Sequence, residues 1–586
     1  MSHKEVVSAD GLALAVYSHG DPDAPMVVAV HGYPDDHTVF DGVVDVLRER
    51  HHVVTYDVRG AGASGTPSGP AGYDLERLSE DLRAVVDAVS PDAPVHLLAH
   101  DWGAIQTWHA VTAADGDARH SALAGRVASF TSISGPCLDH VGLFFRRRSG
   151  ATLREIVRQG LESWYTMLFR TPVLPELAWR SGLAGALVSA TEGVPCPNLR
   201  DAVNGLELYR RNLPARLGDP QPRRADVPVQ VLAPRGDRYV TPALQTRVGA
   251  YAPDLRVRRL PGGHWIVRTR PEVIARCVAE LVAHAEGGPE APALARARSA
   301  ARPGAGRSTN GRRDNGRWDG ALVVVTGAGS GIGRATAAAF ARRGARIVVA
   351  DRNPDGARRT AELIGAGRAF PVTVDVADES ALARLASDVA AEHGVPDVVV
   401  NNAGIGMAGS FADTTLEDWQ RIIDVNLWGV IHGCRAFSAL LSAHGEGGHI
   451  VNVASAAAYL PSRTLAAYAT TKSAVLTLSA CLRAELADDG IGVTALCPGF
   501  VHTDITSTTR FVGLDAAEER RLQKATTALY ARRNYTPERV AEHVVRAVEC
   551  NAPLAPVTAE AHAGLLASRL SPALLRAIAR RDIGPR

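Results

Sequence analysis

Short apolar runs alternating with longer stretches of helical periodicity dominate this chain, and the pattern occurs twice. In the first half the runs are MVVAVHG (26–32), HVVTYDVRG (52–60), VHLLAHDWG (95–103), ASFTSISG (128–135) and VPVQVLAP (227–234). Each is bounded by turn residues and followed by a helical pattern, the signature of βαβ units and of a mostly parallel sheet. The pattern restarts with ALVVVT (321–326) and RIVVAD (346–351). Between the halves, residues 287–319 are mainly Ala, Gly, Pro, Ser and Arg. So few large apolar side chains cannot offset the entropy of ordering, and a flexible linker is expected there. The chain therefore reads as two α/β domains, 1–286 and 320–586, each long enough for its own core.

Composition narrows the class. At 586 residues, 46% hydrophobic and 22% charged, the chain looks like an ordinary globular protein, and a net charge of +2 gives no reason to expect nucleic acid as a partner. Between Arg296 and Arg317 seven arginines face one acid, Asp314, which suits either attraction to a polyanion or, more simply, a solvated tether. MSHKEVVSADG lacks a signal core, and no stretch approaches the 18 apolar residues of a membrane span. Seven scattered cysteines without a C-x-x-C pair predict reduced thiols, no metal site and a cytoplasmic location.

The first candidate chemistry lies at Ala99-His100-Asp101-Trp102-Gly103. Small residues at both ends let a strand turn sharply into a helix and expose the central side chain, which is a nucleophile elbow. Here that side chain is a carboxylate, already anionic at neutral pH and able to attack without a base. An acid at the end of an apolar strand is expensive to bury idly.

With that elbow the segment resembles the α/β-hydrolase family, and within it the epoxide hydrolases. The resemblance implies an N-terminal α/β-hydrolase fold with a helical cap at about 137–226. It implies an oxyanion hole from the backbone N–H groups of Tyr33, in His31-Gly32-Tyr33-Pro34, and of Trp102. It also implies Asp237 (PRGDRYV) as the acid and His264 (PGGHW) as the base, in that chain order. Two cap tyrosines, Tyr165 and Tyr209, match the family's donors to the epoxide oxygen. An Asp elbow followed by Trp also occurs in haloalkane dehalogenases, which is the rival reading, although those enzymes usually carry Asn where this chain has Tyr33.

In the second half, the strand 321–326 runs into Thr326-Gly327-Ala-Gly-Ser330-Gly331-Ile332-Gly333 and then a helix, with Asp351 closing the next strand. Glycines permit the turn and close approach to a pyrophosphate, which the helix N-terminus would hold. Tyr468 and Lys472 are four apart, on one helical face, so the ammonium is expected near the phenol, lowering its pKa.

With Asn401-Asn402-Ala403-Gly404 and Tyr468-x-x-x-Lys472, this half resembles the classical short-chain dehydrogenase/reductase family, a C-terminal Rossmann-fold domain. The resemblance implies a tetrad of Asn426, Ser455, Tyr468 and Lys472, with Asn426 holding a relay water and Ser455 bonding the substrate oxygen. It implies a cofactor site of Gly327, Ser330, Gly331, Ile332, Gly333, Asp351, Arg352, Asp375, Val376, Asn402, Ala403, Gly404, Pro498, Gly499, Val501 and Thr503. Asp351 would bond a free ribose 2′-hydroxyl and repel a 2′-phosphate, so NAD is expected, with NADP as the alternative because of Arg352. Residues 456–465 and 504–530 should border an apolar substrate pocket, and 565–578 should form two short helices closing the domain or a subunit interface, with weak peripheral membrane contact as the alternative.

These readings combine into a bifunctional enzyme. It would hydrolyse an epoxide through an Asp ester and oxidise or reduce an alcohol or ketone with NAD(P), on a hydrophobic small molecule. The family usually forms homo-oligomers through this domain. The competitor is a chain in which one domain serves only as a binding module.

Overall fold

The computed structural model describes residues 2–146, 150–300 and 318–579. They divide into two compact units, Met1–Ala305 and Gly306–Arg586. In the first, an eight-stranded sheet has the spatial order Ser2–Val7, Ala13–His19, His52–Tyr56, Met26–Val30, Val95–His100, Val127–Ile133, Val229–Pro234, Leu255–Leu260. The first two strands are antiparallel to their neighbours and the rest are parallel. The five apolar runs form five of the six parallel strands, buried on both faces as a sheet covered by helices requires, and the sixth, Leu255–Leu260, carries three arginines and gives no such run. The antiparallel pair at the edge carries polar residues and gives no such run. Between Val127–Ile133 and Val229–Pro234 stand the cap helices, from Leu138–Arg146 to Leu206–Gly218.

The second unit is a seven-stranded parallel sheet ordered Ala369–Thr373, Arg346–Asp351, Leu322–Thr326, Val398–Asn401, Gly448–Val453, Ile491–Cys497, Leu554–Pro556. The chain reverses its direction of travel across the sheet between Leu322–Thr326 and Val398–Asn401. That switch point opens a crevice at the carboxyl ends of the strands, the place where doubly wound sheets bind ligands. The C-terminal stretch forms helices Ala559–Leu570 and Pro572–Ala579, as its sequence suggests, with Arg580 outside the described residues.

One expectation is corrected. The segment 287–319 is folded at both ends, and its centre, 301–317, lies outside the described residues. Helix Pro292–Ala300 packs on the edge strand Leu255–Leu260 with Leu294 and Ala297 buried. Glu290 accepts from Arg256 (3.2 Å), and Arg298 pairs with Asp254 (3.3 Å). Two apolar positions three apart, plus partners supplied by a distant strand, suffice to order a segment whose own composition is poor. At the other end Trp318 is buried against Phe340 (ring centroids 5.0 Å).

Candidate active sites

Asp101 sits between strand Val95–His100 and helix Trp102–Val111 with φ of +50°, a left-handed conformation that only tight surroundings hold in a non-glycine residue. The surroundings explain the small neighbours. A Cβ at Gly103 would lie 2.1 Å from Val30 O, one at Gly32 would lie 2.6 Å from Trp102 N, and one at Gly135 would lie 2.1 Å from Asp101 O. The elbow is thus clamped by backbone on three sides. Tyr33 N donates to Asp101 Oδ2 (2.9 Å), as an oxyanion-hole donor beside the nucleophile would.

His264 Nε2 lies 3.5 Å from Asp101 Oδ1, and its Nδ1 lies 3.2 and 3.3 Å from the two oxygens of Asp237. Asp237 also accepts the N–H groups of Tyr239 and Val240, both at 2.9 Å. Burial opposes ionisation of both groups, but the mutual attraction and these donors win. The His264 pKa is held well above 6.5 by Asp237 and Asp101, and the Asp237 pKa is held below its ordinary value.

Tyr165 and Tyr209 come from different cap helices, Trp164–Phe169 and Leu206–Gly218, with ring centroids 6.2 Å apart. Burial raises both phenol pKa values well above 10, reinforced for both by the Asp101 charge. Phenols in reach of the nucleophile's charge and kept protonated can act as hydrogen-bond donors there. Trp102 packs edge-on to Tyr209 (4.9 Å), and Tyr33 Oη donates to Ala202 O (2.7 Å), tying the loop to the cap.

Several supporting residues lie outside the sequence-derived set. Gln245 donates to Asp237 Oδ2 (3.2 Å) and accepts from Ser134 N (3.2 Å). His100 Nε2 contacts His264 O (2.9 Å), fixing the base's backbone, and Tyr239 packs edge-on to His264 (4.8 Å). Only His100 carried a signal, its place beside the nucleophile.

In the second unit, the glycine-rich turn is closed as a dinucleotide cradle requires. Gly327 and Gly331 have φ of +63° and +50°. A Cβ at Gly327 would lie 2.8 Å from Ala403 Cα, and one at Gly333 would lie 2.2 Å from Gly327 O. Asn402 Nδ2 donates to Thr326 O (2.9 Å) and Gly327 O (3.1 Å). Ser330 precedes helix Gly331–Ala341 without capping it through its side chain, leaving first-turn N–H groups for an anion. Asp351 accepts from Gly329 N (2.7 Å) and Asn353 N (2.9 Å), while Arg352 beside it and Asp375 are exposed. Thr503 lies over Gly331, where a Cβ would meet it at 3.4 Å. Ile332, Val376 and Val501 turn their side chains toward the packed interior, so their backbones are what remains for a ligand. Pro498 O accepts from Ala456 N (2.8 Å), and Gly499 lies against Thr558 and Glu560, where a Cβ would come within 2.2 and 2.6 Å of their oxygens. These residues fit a nicotinamide dinucleotide.

Lys472 is buried, donates to Val453 O (2.8 Å) and lies 5.9 Å from the Tyr468 ring centroid. Asn426 stands in a single π-helical turn, Asp424–Trp428, an irregularity common at functional sites. Its amide grips Ile405 through Oδ1 (2.8 Å) and Nδ2 (3.0 Å). A Cβ at Gly404 would lie 3.1 Å from Asn426 Oδ1 and 3.4 Å from Lys472 Nζ, so both converge on that glycine. The expected lowering of the phenol is not found. Burial raises the Tyr468 pKa, Ser455 is the group that opposes it, and burial also pulls Lys472 down to about 8. Tyr530, on helix Ala516–Arg533, has a buried phenol raised to about 12 by burial and next by Tyr468.

The two folds and their sites define an α/β-hydrolase joined to a short-chain dehydrogenase. Residues 25–271 match the family described as alpha/beta hydrolase fold, and residues 321–511 match short chain dehydrogenase. The chain is 41% identical to "Probable oxidoreductase EphD" of Mycobacterium tuberculosis (strain ATCC 25618 / H37Rv) over 98% of both chains, and it belongs to that family of two-domain proteins. It is an NAD(P)-dependent oxidoreductase of the short-chain type fused to a hydrolase. The second domain is also similar to the meso-2,3-butanediol dehydrogenase of Serratia marcescens, with 37% identity over 33% of this chain and 75% of that one. A crystal structure of a short chain dehydrogenase/reductase from Burkholderia phymatum in complex with NAD is 28% identical over 46% of this chain and 98% of that one, at a TM-score of 0.41.

Proposed function

We propose that the first domain hydrolyses epoxides and the second oxidises or reduces a secondary alcohol or ketone with NAD. The observation that carries the first half is the strained Asp101 aligned with His264 and Asp237 beneath two protonated cap tyrosines. Asp101 attacks an epoxide carbon, the C–O bond breaks, and Tyr165 and Tyr209 donate to the departing oxygen. His264 then takes a proton from water, whose oxygen attacks the ester carbonyl, and the N–H groups of Tyr33 and Trp102 hold the oxyanion. Collapse returns the Asp101 carboxylate and releases a vicinal diol. The phenols near Asp101 favour this reading over dehalogenation, where a departing halide needs no proton. In a single turnover in heavy-oxygen water, the label should enter the Asp101 carboxylate, and label found only in the diol would reject the ester.

In the second domain the glycine-rich turn, Asn402, Asp351 and Thr503 would hold the dinucleotide. A bound NAD supplies the hydride acceptor. Ser455 orients the substrate oxygen, Tyr468 exchanges a proton with it, its raised pKa suiting donation to a ketone oxygen, and Lys472 and Asn426 form the relay behind it. Asp351 favours NAD, because a 2′-phosphate about 4 Å from its carboxylate would meet repulsion of about 4 kcal/mol at an effective dielectric of about 20. A vicinal diol from the first site is a suitable donor for the second, giving a hydroxyketone. Feeding epoxide with NAD to the intact chain should yield NADH, and no NADH from any diol tested would disconnect the two activities.

A further inference from the structure

The cap carries an apolar face left uncovered by the described residues. Leu153, Val157 and Leu161 follow one another at four-residue spacing on helix Gly150–Glu162, and Trp164 and Met167 continue on the next helix. These five side chains are 55% to 72% exposed. So many large apolar groups in one segment exceed the scattered singles of an ordinary surface. The charges around them are unequal in availability. Glu155 pairs with Arg247 (2.6 Å), Glu162 with Arg158 (3.4 Å) and Glu176 with Arg210 (2.7 Å). Glu192 turns toward the catalytic loop, where its Oε2 would lie 2.9 Å from a Cβ at Gly263. Arg154, Arg170 and Arg180 are exposed, and none lies within salt-bridge distance of a carboxylate among the described residues. The segment thus offers exposed aliphatic and indole groups together with cations that have no carboxylate partner among the described residues, Arg170 donating only to Met167 Sδ (3.8 Å), the composition of a face that lies in a lipid–water interface.

We propose that this cap face docks the first domain onto an anionic lipid surface and draws its hydrophobic substrate from that phase. Trp164 is suited to the headgroup level, and Tyr165, the next residue on the same short helix, packs edge-on to Tyr209 and Tyr239 beside the site (ring centroids 6.2 and 5.3 Å). A helix that touches lipid with one side and the site with the other gives an apolar substrate a path that avoids water. The delivery step rests on the epoxide-hydrolase reading, whereas the docking does not.

The test uses the full chain and vesicles of phosphatidylcholine, with and without phosphatidylglycerol. Sedimentation should show binding to the anionic vesicles that falls with added salt. Each arginine near an anionic surface contributes about a fivefold gain in partitioning, so Arg154→Gln/Arg170→Gln/Arg180→Gln should weaken binding by about a hundredfold. Leu153→Glu/Leu161→Glu should weaken it comparably, and both variants should turn over a water-soluble epoxide at the original rate, showing an intact fold. Equal vesicle binding by the original chain and both variants, or none by the original chain, overturns the proposal. A dimer that Leu153→Glu/Leu161→Glu dissociates, without vesicle binding, would assign the face to a second copy instead. Vesicle binding without epoxide turnover would retain docking and reject the hydrolase reading.

Discussion

Replacing Asp101 with asparagine removes a negative charge 3.5 Å from His264 Nε2 while keeping the shape of the side chain. At that distance and an effective dielectric of about 20, the lost attraction is about 5 kcal/mol, so the His264 pKa should fall far enough for a titration to resolve it. Asp237, at 3.2 Å on the other ring nitrogen, keeps its own hold, so His264 should fall from well above 6.5 without losing its partner altogether. The sign has a mechanistic meaning. Ester formation neutralises Asp101 just as the amide does, so the first chemical step would itself release the proton from His264 and make it a base for the second. Nitrogen-detected NMR titration of the ring in Asp101→Asn and in the unaltered chain measures the shift. An unchanged His264 midpoint would refute this coupling, and a fall after Asp237→Asn alone would assign the hold to Asp237.

Lys472→Met should abolish dehydrogenase turnover yet stabilise the second domain at pH 7. The buried ammonium's pKa of about 8, against 10.5, represents about 3 kcal/mol at most, reduced by the carbonyl of Val453 left without its donor. Because the unfolded lysine binds the proton more tightly, the original chain gains stability as pH rises from about 8 toward 10.5, so the calorimetric gap should narrow there; a gap constant with pH would contradict the burial argument. Asp351→Ala should raise NADP affinity relative to NAD by tenfold or more, roughly 1.4 kcal/mol, in fluorescence titrations; tighter NADP binding by the original chain would reject the assignment. Gly103→Ala should destabilise the first domain by about 3 kcal/mol and lower its melting temperature, because the added methyl would lie 2.1 Å from Val30 O, and an unchanged melting temperature would refute the tight clamp on the elbow.

Much of both sites was legible in the chain because their chemistry is locally encoded. The elbow 99–103, the turn 326–333 and the pair Tyr468 and Lys472 each need only a strand, a turn or one helical face to set their geometry. Asp237 and His264 were legible at one remove, since chain order and the strand before each place them at the same edge of a parallel sheet. Gln245 carried no such mark, and although Tyr239 lies two residues after Asp237 and Tyr530 ends the stretch expected to border the pocket, nothing in sequence says that the one packs on His264 or that the other lies near Tyr468.

The sequence by itself therefore determined the two α/β units and the glycines that let backbone approach backbone, and it marked Asp101, Tyr468 and Lys472 as candidates, while Asp237, His264, Asn426 and Ser455 came with the family resemblance. Tertiary structure decided what burial does to those groups. It keeps the Tyr468 phenol up and the Lys472 ammonium down, reversing the ordering that spacing alone suggests. It folded residues 292–300 by lending them the surface of strand Leu255–Leu260, and it left the cap's apolar stripe exposed. Desolvation and partner supply depend on which distant segments close over a residue, and those are properties of packing that no local pattern carries.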